Sequence, residues 1–251
     1  LVRIERAKRL VIYQLHDLGL PVVDRMQDPL RGLAFDLLSS RGQPVVTGHA
    51  DGVITIDLSE SDDVHRTMLR AQLDEPYRTV VGHIRHEIGH YYWMVLVEHG
   101  VGLESFRETF GDERASYEQA VARHYREGPP SDWRETRVSA YASMHPWEDW
   151  AETFAHYLHI RDALQTAAAW GIAIAGPAGD PDAAPGVVPM DTVEVRSFAD
   201  VVRDWRVVSG ALNALNRSMG HDDPYPFDLP DPVIDRLELV HRLVVGAAGR
   251  G

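Results

Sequence analysis

The chain has 251 residues, 44% hydrophobic and 25% charged, enough to bury an ordinary core as one domain, alone or with an appendage. Its 25 basic and 38 acidic residues give a net charge of −13, which opposes binding to nucleic-acid phosphates. With no cysteine there is no disulfide; no apolar run reaches the roughly 18 residues a membrane span needs, and with no basic-then-apolar leader the expected compartment is the cytoplasm.

In chain order, residues 5–19 alternate charged and apolar side chains at helical spacing and stop at Gly19-Leu20-Pro21. Three β-rich runs follow, 33–38, 43–48 and 52–58, punctuated by Arg41-Gly42 and Asp51-Gly52, and they predict a small antiparallel sheet. His49 lies in the expected hairpin turn and is a candidate substrate-site residue. Residues 76–99 read as one long helix, apolar on most faces with no proline inside it after Pro76, and therefore central to the core. A second amphipathic helix is expected over 106–125, bearing Asp112, Glu113 and Tyr117, with its acidic residues solvated or paired with Arg78 and Arg85. A loop over 126–137 leads to a helix that starts near Pro146 and carries apolar positions at helical spacing as far as Leu158. The Gly/Pro/Ala-rich stretch 171–191 reads as a connector, and carboxy-terminal helices over 193–219 and 233–245 are expected to pack on the core. The resulting layout is a catalytic core at 1–170, the connector at 171–191 and helices at 192–251.

The chemistry concentrates in His86-Glu87-Ile88-Gly89-His90. At 3.6 residues per turn the two histidines project from one helix face and can share a metal ion, while Glu87 sits at the edge of that face, able to hold a water and accept its proton. Histidines and a glutamate in the middle of an apolar helix each need a partner when buried, and a metal supplies one. Gly89 costs roughly 1 kcal/mol relative to Ala in a helix interior, which implies close packing against it. His83, three residues before His86, is a further candidate ligand.

A catalytic zinc site needs a third protein ligand and an open position. Glu148, Glu152 and His156 form a polar stripe at i, i+4 and i+8 on the helix that follows Pro146. Glu148 is the expected ligand, with Glu152 one turn on accepting the ring N–H of a ligand histidine; the reverse order and Asp149 are the alternatives. His156 extends the stripe.

Taken together, the strings Glu75-Pro76-Tyr77-Arg78-Thr79, His86 to Trp93, Phe110-Gly111-Asp112-Glu113 and Glu148-Asp149-Trp150-Ala151-Glu152 resemble the zinc-binding metallopeptidases of bacteria, from about Glu5 to His241. Within zinc peptidases the pattern is similar to gluzincins of the lethal-factor type. That resemblance implies a mainly helical α+β zincin-like domain, one zinc ion per chain on His86, His90 and Glu148, and hydrolysis of a peptide or protein substrate by a metal-activated water with Glu87 as general base. It also implies that Tyr141, seven residues before Glu148, assists the oxyanion, with His145 as the alternative donor. Many members carry an amino-terminal cysteine-rich zinc ribbon; with no cysteine in this sequence, either the ribbon was cut away or this member never had it.

Two other classes remain compatible with parts of the sequence. Glu87-x-x-His90 and Glu238-x-x-His241 both have the form used in di-iron carboxylate helical proteins. A non-catalytic, zinc-stabilised binding module would use the ligands but has no need of Glu87.

Overall fold

The computed structural model describes residues 1–40, 42–43, 45–61, 79–174 and 197–249. Those residues form two compact units, Leu1–His156 with Leu229–Gly251, and Tyr157–Asp228. The string at 75–78, Arg78 with it, and most of the expected connector lie outside the described residues.

The first unit is built around one buried helix. Helix α1 (Val2–Asp17) opens the chain and buries Ile4, Ala7, Val11, Gln14 and Leu15. It ends where Gly19 takes a φ of +67°, a conformation that costs glycine little. Strands β1 (Ala34–Leu38), β2 (Gly48–Ala50) and β3 (Val53–Asp57) make a sheet in the order β1-β3-β2. β2 and β3 are antiparallel, joined through Asp51 and Gly52 with φ of +46° and +83°, the conformation of a type I′ hairpin turn, for which Asp-Gly is well suited.

The sheet is mixed rather than wholly antiparallel, because β1 pairs parallel to β3, Ala34 facing Val53. The second strand, β2, also sits later than the run 43–48 suggested. Thr47 lies just before it, and its hydroxyl accepts the Asp57 N–H at 3.1 Å. His49 is consequently a strand residue opposite Ile54, not a turn residue.

Helix α2 (Val80–Tyr92) is capped by the Thr79 hydroxyl, which accepts the Gly82 N–H at 2.9 Å, and ten of its residues are buried. α1 and the strands β2 and β3 pack on it. Trp93–Glu98 continues as one π-helical turn, so the expected long helix changes pitch at its carboxy-terminal end. The expected single helix over 106–125 is two, α3 (Leu103–Phe110) and α4 (Tyr117–Glu127). They are separated at Gly111, whose φ of +104° ends α3. The acidic residues between them are neutralised locally: Glu113 by Arg107, and Asp112 by Arg114 at 2.8 Å.

A short helix α5 (Trp133–Thr136) occupies the expected loop, and a 3-10 turn over Tyr141–Ser143 leads into α6 (Pro146–Ala169). α6 belongs to the first unit as far as His156. Helix α8 (Asp231–Ala248) closes that unit against α3, α5 and the π-helical turn, burying Val233, Leu237, Val240 and Val244.

The second unit holds the remainder of α6 and helix α7 (Phe198–Ser218), which Ser197 caps through the Asp200 N–H. Its core contains Trp205, whose ring meets those of His159 and Tyr225 at 5.4 and 4.8 Å. No helix among the described residues is long and apolar enough to cross a membrane.

Candidate metal centre

Helices α2 and α6 touch at Gly89. A Cβ there would stand 2.9 Å from both the Cα and the carbonyl oxygen of Ala151, closer than real contacts allow, and the Gly89 carbonyl accepts the Trp150 indole N–H at 2.8 Å. This approach is what lets side chains one turn away on each helix meet.

Three ligand atoms converge there. His86 Nε2 lies 3.1 Å from His90 Nε2 and 3.1 Å from Glu148 Oε2, and His90 Nε2 lies 3.4 Å from that same oxygen. On a tetrahedral ion with ligand bonds of about 2.0–2.1 Å, ligand atoms stand roughly 3.3–3.4 Å apart, so the triangle has the dimensions of a zinc site. Glu148 Oε2 is buried and has no hydrogen-bond donor, an arrangement that a cation would satisfy. These residues are the group of His, Asp and Glu side chains, among those described, spaced to hold a metal.

The surroundings orient each ligand. Glu152 Oε1 lies 2.7 Å from His86 Nδ1; a carboxylate can only accept, so Nδ1 carries a proton, and against burial the Glu148 and Glu152 carboxylates raise the His86 pKa well above its ordinary value. Ser139 donates to the other Glu152 oxygen at 2.6 Å. Burial disfavours the charged form of Glu152, but the bonds from His86 and Ser139 outweigh it and hold the carboxyl below its usual range. Burial likewise opposes ionisation of Glu148, yet the two histidines keep it ionised, well below the ordinary value.

Glu87 is buried on the same helix, with Oε1 3.2 Å from His83 Nε2 and Oε2 without a hydrogen-bond partner. His83 therefore faces Glu87 and stands outside the metal-competent group. Burial pushes the Glu87 carboxyl up, while His83, His90 and His86 pull it below its ordinary value.

The Tyr141 ring lies 5.9 Å from that of His86. Burial, then the Glu148 charge, raises the pKa of its hydroxyl and keeps it a neutral phenol. His145 is occupied elsewhere: Nδ1 accepts the Trp147 N–H at 3.1 Å and Nε2 donates to the Ala115 carbonyl at 3.0 Å, so it closes the start of α6 and has no ring nitrogen left for an oxyanion. His156 is buried one turn beyond Glu152 and is held neutral, its pKa lowered to about 4 by burial against the pull of Glu152.

His49 accepts the Gly52 N–H on Nε2 at 3.0 Å and meets the edge of Tyr91 at 6.1 Å. Burial and the charge of His90 lower its pKa to about 4. Asp149 points away from the ligands, its Oδ2 2.9 Å from both Arg137 Nε and Arg236 Nε. In the other Glu-x-x-His string His241 is buried but Glu238 is exposed, so the pair does not supply a second inward carboxylate.

Two residues at the centre were not singled out by spacing. Tyr117, from α4, donates to Glu148 Oε1 at 2.8 Å, and the Trp147 ring covers His90 with centroids 3.7 Å apart. Neither carries a local motif; an aromatic residue next to a ligand is the faint signal for Trp147, and nothing local marks Tyr117.

The chain is 54% identical over 243 residues to uncharacterised proteins of Mycobacterium tuberculosis, strains H37Rv and CDC 1551, and of Mycobacterium bovis. Each match covers 96% of this chain and 69% of the relative. No solved structure matches. The model of the family described as "Putative zinc-binding metallo-peptidase" matches residues 1–243, and this chain, with its paired helices and converging donors, belongs to that family.

Proposed function

We propose that this protein is a gluzincin-like zinc peptidase that hydrolyses peptide or isopeptide bonds in a peptide or protein substrate, with one zinc ion per chain on His86, His90 and Glu148. The observation that carries the reading is the convergence of His86 Nε2, His90 Nε2 and Glu148 Oε2 within 3.1–3.4 Å beside a buried Glu87 oxygen that has no partner. When bound, zinc would polarise the scissile carbonyl and lower the pKa of a water towards roughly 7.

The protein's own groups supply the rest. Glu87, anchored through Oε1 by His83, keeps Oε2 available to accept the proton of the attacking water and to pass it to the leaving amine. Tyr141, kept neutral by burial, can turn its hydroxyl to donate to the oxygen on which charge develops. Trp147 shields the His90 ring, and Glu152 fixes the tautomer of His86. β2 is an edge strand of the sheet and packs on the metal helix, which suits an extended peptide added along it.

A non-catalytic zinc module is disfavoured by Glu87, since a structural site has no use for a buried carboxylate oxygen lacking a donor. Glu87→Gln tests the reading: the nearly isosteric amide should keep zinc and fold while hydrolysis in a peptide-library digest disappears. Cleavage by this variant at the wild-type rate would remove Glu87 as the base and return the module reading.

A further inference from the structure

A metal-ligating carboxylate has two oxygens, and which of them faces the ion depends on what holds the other. Glu148 comes from the first turn of α6, where rotation about its side chain could bring either or both oxygens to the centre. In the structure Oε2 alone lies against the two imidazoles, and Oε1 is taken by the Tyr117 hydroxyl at 2.8 Å. The donor comes from a different helix, thirty-one positions earlier in the chain.

The placement of Tyr117 is specified. Tyr117 is the first residue of α4, immediately after the cap Ser116, and α4 buries only Ala120 along its length. What ties this helix end to the site is His145, which donates to the carbonyl of Ala115 at 3.0 Å and accepts the Trp147 N–H at 3.1 Å, thereby joining the start of α4 to the start of α6. The Tyr117 ring then packs edge-on against His145 at 5.4 Å and Trp147 at 5.9 Å, while Trp147 lies over His90. The hydroxyl that meets Glu148 is thus fixed from both helices.

We infer that Tyr117 is a positioning residue of the metal centre: by donating to Glu148 Oε1 it holds the carboxylate as a single-oxygen ligand through Oε2, leaving a coordination position open for water. The inference rests on the zinc reading above. A carboxylate released from this bond can turn both oxygens to the metal and fill the open position, or turn away from it. Either movement weakens or alters the site without removing a ligand.

The test uses the full chain, stripped of metal and titrated with zinc against a chromophoric chelator, and separately loaded with cobalt(II), whose visible absorption reports coordination number. Tyr117→Phe keeps the ring contacts and removes only the hydroxyl. It should bind zinc ten- to a hundredfold more weakly than wild type, the range for losing a partner that orients a ligand, and change the intensity of the cobalt bands, with the metal-free melting temperature unchanged. Should the Phe variant not fold, Tyr117→Met serves for the same comparison. Wild-type zinc affinity and an unaltered cobalt spectrum in a hydroxyl-less variant would overturn the inference. Glu148→Ala separates this from failure of the underlying reading: equal zinc binding by wild type and Glu148→Ala would mean that Glu148 is not a ligand and that Tyr117 has nothing to position.

Discussion

At the scale of the residue, Tyr117 and Tyr141 stand differently to the centre. Tyr117 bonds the Glu148 carboxylate directly, whereas the Tyr141 ring lies 5.9 Å from that of His86. Tyr141→Phe should therefore leave zinc affinity near wild type and lower kcat by roughly ten- to a thousandfold, as expected for loss of one donor to a developing oxyanion. An unchanged kcat in steady-state assays would assign Tyr141 to packing. His83, three residues from His86, shares a helix face with the ligands and is also four residues from Glu87, whose Oε1 its Nε2 meets at 3.2 Å.

At the scale of the element, the site depends on how closely α2 approaches α6. Gly89 is where the backbones meet, and any side chain there collides with Ala151 and with Phe154. Gly89→Ala should consequently destabilise by about 1–3 kcal/mol, the range for overpacking, even though alanine gains about 1 kcal/mol in helix propensity. Denaturant melts measure this; a stabilised variant would mean that the helices separate without cost. The closeness was legible in the sequence as a glycine within an apolar helix, but the partner was not, since helical periodicity says which face is buried and not what buries it. The break at Gly111 escaped for a related reason: 106–125 keeps a helical pattern across a residue whose positive φ ends the helix.

At the scale of the whole molecule, two histidines are held in neutral form, the half-buried His49 and the buried His156, each with its pKa lowered to about 4. Unfolding returns them to about 6.5, so between those values the unfolded chain binds more protons and stability falls as pH is lowered through the window. For His49 the causes are burial, then the positive charge of His90, opposed by Glu87 and Asp51. His49→Gln retains an acceptor for the Gly52 N–H but cannot titrate. Its unfolding free energy should lose less between pH 7 and pH 4.5 than that of the wild type, by up to about one proton in the slope; parallel curves would show that His49 is already charged in the folded state.

The local content of the centre was determined by the sequence itself. His86, Glu87 and His90 on one helix, and Glu148 with Glu152 on another, follow from a fixed repeat of 3.6 residues per turn, and the Asp51-Gly52 turn follows from the φ values those residues tolerate. Tertiary structure alone decided the rest: the parallel pairing of β1 with β3, the later position of β2, the use of His145 to join two helix starts, and the bond from Tyr117 to Glu148. Spacing along a helix or turn is a local property written in consecutive residues. Contacts between residues far apart in sequence depend on which packed faces exclude water together, and no short string encodes that.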